Sequence, residues 1–424
     1  MTAVVVRPGT ATGRLSAPAS KSYTHRALVA GHLAHRSYRI RGPLDADDTR
    51  ATARALATLG TTVRRTRDAW TLTPRASSRG SALPPIDCGE SGTTLRFVSA
   101  LASLQDRPVR LIGHGRLGDR PMAELRLALE HLGAQCRSTR RGHGLPLEVE
   151  GPVHGGRVRL RASESSQFAS ALLFILPTLD EDSRLTLVGP VVSRPYLDAT
   201  LAVLRHHRVT VRSSDREFTI PGRQRYRGAV FDVPGDASSA AYLWAAAAVS
   251  GGIVRVEGIP ASWPQADLAV LDLLERAGAR VRRLGSGAEV RGETPRPFTV
   301  DLTDSPDLFP LAGVLAATTP GRSELRGAEQ VAGKESDRRA ETVRLARAFG
   351  ASARPSLHRV VIEGARRPKA ISVRGLRDHR LVMSAAVGAL AAHGRSTIGE
   401  SEAVRKSFPG FWEALEGLSD RGVR

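Results

Sequence analysis

The chain repeats itself about every seventy residues, and that period excludes most single-core folds at once. Six times, a small polar cluster opens an apolar run. The openings are Ser20-Lys21-Ser22, Ser91-Gly92-Thr93, Ser165-Ser166-Gln167, Asp236-Ala237-Ser238-Ser239, Ser305-Pro306-Asp307 and Asp378-His379-Arg380. Taken at residues 22, 92, 166, 238, 307 and 379, the steps are 70, 74, 72, 69 and 72. The runs that follow, FASALLFILPTL and AAYLWAAAAVS among them, are apolar on most faces and are expected as buried helices. A second series is interleaved, in which an amphipathic helix closes on a glycine before a strand. Its members are Gly60, Gly133, Gly278, Gly350 and, more weakly, Gly422, with Arg208 where the third should fall. The steps are 73, 75, 70, 72 and 72. Glycine just after the last turn is a common helix stop. Each unit therefore reads strand, buried helix, strand, amphipathic helix, strand, strand.

Six units of about 71 residues account for all 424. That length exceeds one ordinary core. Two α/β domains of three units each, with helices inside and sheets outside, are the simplest packing. A buried helix whose first turn is Ser, Thr, Asp or Gly offers free N–H groups and the positive end of its dipole. Three such ends pointing one way would make an anion trap. Ordinary capping accounts for the Ser, Thr and Asp. It does not account for Lys21, Gln167, His379 and Arg380 beside them.

Composition narrows the function. At 41% hydrophobic and 25% charged, the chain is globular. No apolar run reaches the roughly 18 residues of a membrane span, and MTAVVVRPGT lacks the order of a signal peptide. Cys88 and Cys136 are too few for a disulfide framework or a metal cage, so a reducing cytoplasm fits. The net charge of +20 suits an arginine-rich solvated surface and anionic small-molecule substrates. Aromatics make up only 4%, and no nucleic-acid module is present to supply stacking. Of 62 basic residues only Lys21, Lys334, Lys369 and Lys406 are lysine. Arginine can supply surface charge, so scarce lysines point to tasks that need a compact ammonium. Three of them lie in dense polar motifs, while Lys369 falls in the surface-like run Arg366-Arg367-Pro368-Lys369.

Several constellations could carry chemistry. Lys21 and Arg26 are five residues apart at the first opening and could flank one anion. Gly92, in CGESGTTLRF, would let a ligand approach the backbone closely. Arg120, Arg338 and Arg380 sit in tight polar settings, and arginine meets carboxylate or phosphate bidentately. Asp307 and Glu335 stand beside these cations. A carboxylate there stays ionised and can accept a proton from a substrate hydroxyl.

SKSxTxRAL, CGESGTTLRF, DRPM, SSQF, SRPY, PGDASSAAY, DSPD, KESDR, DHR and KSFP resemble, in order and spacing, the enolpyruvyl transferases. Within them the chain is most similar to the 5-enolpyruvylshikimate-3-phosphate synthases. The resemblance spans all six units. It implies two inverted, inside-out α/β domains, each of three βαβαββ units. Residues 20–234 would form one, residues 1–19 with 235–424 the other, and the site would lie in the cleft between them. The implied reaction moves the enolpyruvyl group of phosphoenolpyruvate onto the 5-hydroxyl of shikimate 3-phosphate. Lys21, Gly92, Arg120, Gln167, Arg338, Arg380 and Lys406 would hold phosphoenolpyruvate. Lys21, Ser22, Arg26, Ser165, Ser166, Gln167, Ser193, Tyr196, Asp307, Gln330 and Lys334 would hold shikimate 3-phosphate. Asp307 would take the hydroxyl proton, and Glu335 with Lys21 would serve the methylene carbon. No metal, no cofactor, no nucleic acid and no membrane are implied, and a monomer is expected.

The sequence departs from the family pattern at four places: His25 and Gln330 where Asn is usual, Glu90 where Asn is commoner, and a small Val331-Ala332-Gly333 before KESDR. A modified-shikimate substrate in a natural-product pathway therefore stays open. The sister transferase acting on UDP-N-acetylglucosamine begins with Lys-Asn and carries a loop cysteine; here Ser22 follows Lys21, and Gly115 takes the loop position. An RNA 3′-phosphate cyclase would need a nucleotide-accepting histidine, which DHR followed by LVM does not resemble. A plain RNA binder would leave Asp307 and Glu335 without a task.

Overall fold

Apolar and amphipathic helices alternate along the chain. In the computed structural model, which describes residues 2–75, 83–138, 144–327, 329–356 and 358–423, the apolar set is α1 (Lys21–Leu33), α3 (Gly92–Ala102), α5 (Ser166–Ile175), α7 (Ala237–Ser250), α9 (Phe309–Thr318) and α11 (His379–Leu390). The amphipathic set is α2 (Asp47–Thr58), α4 (Ala123–His131), α6 (Arg194–His206), α8 (Val270–Arg276), α10 (Arg338–Ala348) and α12 (Phe411–Leu418). All twelve residues of α11 are buried, and so are nearly all of α1, α3, α5 and α9. This burial is what their apolar, small-residue sequences favour.

The chain divides into two compact units, Ala19–Pro234 and Met1–Pro18 with Gly235–Arg424. Ala19–Pro234 holds α1 to α6 and three four-stranded sheets. Their strand orders are Val230–Asp232, Tyr38–Arg41, Ala69–Pro74, Thr61–Arg65; then Ile86–Asp87, Val109–Ile112, Leu147–Glu150, Gln135–Ser138; then Arg157–Arg161, Ser183–Val188, Glu217–Ile220, Arg212–Ser213. In each the first pair is parallel and the rest antiparallel. Strand side chains alternate, as in Arg157–Arg161, where Val158 and Leu160 are buried and the arginines exposed. The other unit repeats this with Gly13–Ser16, Ile253–Glu257, Gly287–Arg291, Arg280–Leu284, and again with Thr299–Asp301, Gly321–Arg326, Arg359–Gly364, Ser352–Pro355.

Two strands are exchanged between the halves of the sequence. Gly13–Ser16 precedes α1 but pairs with Ile253–Glu257 after α7, Val254 opposite Gly13. Val230–Asp232 precedes α7 but pairs with Tyr38–Arg41 after α1, Phe231 opposite Ile40. This exchange sets the boundaries at Pro18 and Pro234.

The sixth repeat departs from the expected pattern, since its sheet has three strands: Val4–Val6, Ser396–Ile398 and Ser372–Val373. Val4–Val6 supplies the antiparallel partner of Ser396–Ile398. The interleaved series is a set of left-handed turns: φ is +96° at Gly60, +107° at Gly133, +100° at Gly278, +90° at Gly350 and +76° at Gly422. Arg208 keeps the same turn, at φ 58°, without being glycine.

Candidate active site

In the unit Ala19–Pro234, the serines at the helix openings act first as caps. Ser20 accepts from Tyr23 N–H, Ser91 from Thr94 N–H and Ser165 from Gln167 N–H. The residues beside them converge. Arg26, buried on α1, donates from Nη1 to Ser22 Oγ at 2.6 Å and to the Ser22 carbonyl at 3.1 Å. Its Nη2 donates to the Tyr196 carbonyl at 2.8 Å, and its Nε to Thr200 at 3.0 Å. All of these acceptors are neutral. Burial pulls the Arg26 pKa down to about 10, against smaller upward pulls from Tyr23 and Tyr196. Lys21 Nζ meets Asp48 Oδ2 at 3.3 Å.

Gly92 lies against the Arg120 guanidinium. A Cβ there would stand 2.5 Å from the guanidinium carbon of Arg120, which is itself buried. Gln167 accepts from Arg96 Nη1 at 2.7 Å and donates to Thr93 at 3.0 Å; Arg96 also donates to the Pro121 carbonyl at 3.1 Å. Ser166 is buried in the first turn of α5. Ser193 opens α6 from the left-handed region, at φ 58°. The structure thus joins Ser22, Arg26 and Tyr196 in one group, and joins Gly92 to Arg120. Arg96, Asp48 and Thr93 were not singled out from sequence. Arg96 and Thr93 lie inside CGESGTTLRF, and the Asp47-Asp48 pair marks the start of α2, so the local signals were present.

The other unit builds its group around Arg338 at the start of α10. Its Nη1 donates to Asp307 Oδ1 at 2.7 Å, its Nη2 to Glu335 Oε2 at 2.8 Å, and its Nε to Asp378 Oδ2 at 2.8 Å. Burial by itself would lower the Arg338 pKa. Asp378, Glu335 and Asp307 outweigh it and raise the value well above the ordinary one. Arg380 Nη2 donates to Asp307 Oδ2 at 2.6 Å, Lys334 Nζ lies 3.7 Å from Asp307 Oδ1, and Lys406 Nζ lies 4.0 Å from Glu335 Oε1. Asp236 and Asp378 cap α7 and α11. The fifth opening is different: neither the turn Pro306–Leu308 nor α9 has a side-chain cap, and the Asp307 carboxylate faces cations instead. Gln330 donates to the Thr303 carbonyl at 3.2 Å.

Asp267 lies deep beside this group. Burial chiefly, and then the Asp307 charge, raise its pKa to about 7. It accepts from Ser238, whose hydroxyl also accepts from Arg380 at 3.4 Å. The lysines separate as their settings suggested. Lys406 is buried, Lys21 and Lys334 are partly buried, and Lys369 is exposed. Among the described residues, no cluster of three or more His, Cys, Asp or Glu could hold a metal ion.

The family model of EPSP synthase (3-phosphoshikimate 1-carboxyvinyltransferase) matches residues 5–415. A 3-phosphoshikimate 1-carboxyvinyltransferase of Halobacterium salinarum is 41% identical over 421 residues, covering 97% of this chain and 98% of its own. One from Thermococcus kodakarensis is 39% identical over 418 residues, covering 98% of this chain and 100% of its own. Among solved structures, EPSP synthase from Acinetobacter baumannii superposes with a TM-score of 0.82 at 23% identity, covering 100% of this chain and 99% of its own. The enolpyruvyl transferase NikO from Streptomyces tendae does so with a TM-score of 0.80 at 17% identity, covering 100% and 98%. At these identities the two structures speak for the fold, two inside-out α/β domains.

Proposed function

From the premise that this chain belongs to the EPSP synthase family, we propose how its residues carry that reaction. The enolpyruvyl group of phosphoenolpyruvate moves to the 5-hydroxyl of shikimate 3-phosphate, and phosphate leaves. The observation that carries the assignment is Asp307, held between Arg338 and Arg380 and not used as a helix cap. Flanked by cations, its carboxylate is placed to receive the hydroxyl proton. The substrate oxygen then bonds to the enol carbon of phosphoenolpyruvate, while the methylene carbon takes a proton from the Glu335 side, assisted by Lys21. In the second stage that carbon returns a proton, the bond to the phosphate oxygen breaks, and the double bond re-forms. Charge on the departing phosphate is met by Lys21, Arg120, Arg338, Arg380 and Lys406, with Gly92 and Gln167 beside them. Shikimate 3-phosphate is held by Lys21, Ser22, Arg26, Ser165, Ser166, Gln167, Ser193, Tyr196, Gln330 and Lys334, with Asp307 at its hydroxyl.

The domain division 20–234 against 1–19 with 235–424, a monomeric state and a cytoplasmic location belong to the same proposal. No helix among the described residues is long and apolar enough to cross a membrane, and Cys88 and Cys136 are both free thiols. The test is phosphate release from phosphoenolpyruvate in the presence of shikimate 3-phosphate. Release is expected. Folded protein that releases none at any substrate level would refute the proposal, and release with UDP-N-acetylglucosamine instead would reassign the acceptor.

A further inference from the structure

The inner face of α1 carries a histidine that the reaction above does not use. His25 is fully buried, and its Nδ1 lies 2.8 Å from Thr52 Oγ1 on α2. Thr52 Oγ1 lies 2.7 Å from Thr94 Oγ1 on α3. Thr94 Oγ1 lies 3.2 Å from the Asp48 carbonyl and 2.8 Å from Ser91 Oγ, the cap of α3. One polar chain therefore links three helices. It runs from His25 to the backbone of Asp48, whose carboxylate meets Lys21.

The protons in this chain can be counted. A hydroxyl has one proton to give, and a carbonyl has none. His25 Nε2 has no hydrogen-bond partner among the described residues. Were the ring proton on Nε2, a buried N–H would be left unsatisfied, which folded proteins rarely tolerate. With the proton on Nδ1, His25 donates to Thr52, Thr52 to Thr94, and Thr94 to Ser91 Oγ and the Asp48 carbonyl, which share its one proton. Every proton along that line is then used, and only one Nε2 lone pair is left over. The ring is neutral at ordinary pH. Burial is the main cause and pulls its pKa to about 3, with Asp48 pulling upward and Lys21 and Arg26 downward.

We infer that His25 is a positioning residue, fixed as the Nδ1–H tautomer, that orders α2 and α3 against α1 through Thr52 and Thr94. It thereby sets where Asp48 holds Lys21 and where Gly92 presents its backbone. What Lys21 and Gly92 bind rests on the functional reading above; the tautomer does not. Asparagine keeps the essential geometry, because its amide nitrogen is two bonds from Cβ, as Nδ1 is.

Two measurements test the inference on the full chain. Multiple-bond 15N–1H NMR of the histidine rings reads the tautomer, with His25 assigned by the signals lost in His25→Asn. His207 is the internal reference, since its Nδ1 lies 2.7 Å from the Val203 carbonyl, which can only accept. An Nδ1–H pattern at His25 is expected; an Nε2–H or charged ring overturns the inference. Steady-state kinetics reads the positioning. Thr52→Val cuts the chain at its middle and is expected to raise KM for phosphoenolpyruvate about tenfold while kcat stays within about threefold. His25→Asn and Thr52→Ser keep the donor and the hydroxyl, and each should stay within about threefold of the parent in both constants. An unchanged KM in Thr52→Val, a fall confined to kcat, or a His25→Asn as impaired as Thr52→Val overturns it. A parent chain inactive on these substrates would instead defeat the functional reading, and the NMR result would still decide the tautomer.

Discussion

Two buried arginines, one in each unit, are held in opposite ways. In Ala19–Pro234, Arg26 rests on hydroxyls and carbonyls. In the other unit, Arg338 is clamped by Asp307, Glu335 and Asp378. A guanidinium satisfied by neutral dipoles keeps its full charge for an incoming anion, at a desolvation cost that the anion relieves. One clamped by three carboxylates fixes the acids in place and keeps only part of its charge for an incoming anion. The first arrangement is suited to holding a substrate phosphate. The second is suited to presenting carboxylates for proton transfer.

Removing the cation should therefore have unequal consequences. Arg338→Met leaves the buried Asp378 without its cation and takes one cation from Asp307 and from Glu335, and is expected to cost about 3–5 kcal/mol of stability. Arg26→Met leaves neutral acceptors unpaired and should cost about 1–3 kcal/mol. Denaturant unfolding of the two variants decides, and equal losses would erase the contrast. The lysines come next. Lys21→Arg and Lys406→Arg are expected to lose about hundredfold in activity, because a misplaced charge near the reacting atoms is costly. Lys369→Arg lies on the surface and should be silent in the same phosphate-release assay.

Acid should also separate the units. Burial chiefly lowers the pKa of His32 and of His207 to about 4, and that of His25 to about 3. All three lie in Ala19–Pro234. As pH falls below about 6.5, their unfolded forms take up protons that the folded forms refuse. Stability of this unit should then fall by about 1.4 kcal/mol per pH unit for each histidine, levelling off near the folded values. Asp267 runs the other way. With its folded pKa raised to about 7, it contributes stability that is present at low pH and lost as pH rises toward 7. Hydrogen exchange at pH 6.5 and pH 5 should show protection falling in Ala19–Pro234 but not in the unit of Asp267. A parallel fall in both would contradict this. The smallest effect concerns Arg208, whose left-handed backbone suits glycine. Arg208→Gly should raise stability by about 1 kcal/mol, read from the unfolding midpoint.

Much of this was legible in the sequence because the repeat exposes it twice, once in the buried helices and once in the turns that follow the amphipathic ones. Even the irregular member, Arg208, keeps the turn that its position in the series demanded. The strand exchange was less legible. Gly13–Ser16 and Val230–Asp232 are short and look like any lead-in strand, and only pairing with a partner more than 180 residues away reveals their allegiance. The three-stranded sixth sheet likewise depends on an N-terminal strand that no local pattern assigns there. At the site, charged residues in motifs could be picked out singly. Their pairings could not, because Arg96 meets Gln167 and Asp378 meets Arg338 only when separate repeats fold together, and Asp48 meets Lys21 only when α2 packs on α1. Asp307 shows the limit well: its motif marks it as an acid among cations, and only the packing of α10 and α11 shows which two arginines its carboxylate meets.

The division of labour between the units can be read from one pair of steady-state measurements, on Arg26→Met and Asp307→Asn. Arg26→Met should raise KM for shikimate 3-phosphate by one to two orders of magnitude, roughly the worth of a lost charge-assisted contact, with kcat little changed. Asp307→Asn should lower kcat by roughly 10²–10⁴ and leave both KM values within about tenfold of the parent. The opposite split, with kcat failing in Arg26→Met and only KM failing in Asp307→Asn, would contradict it.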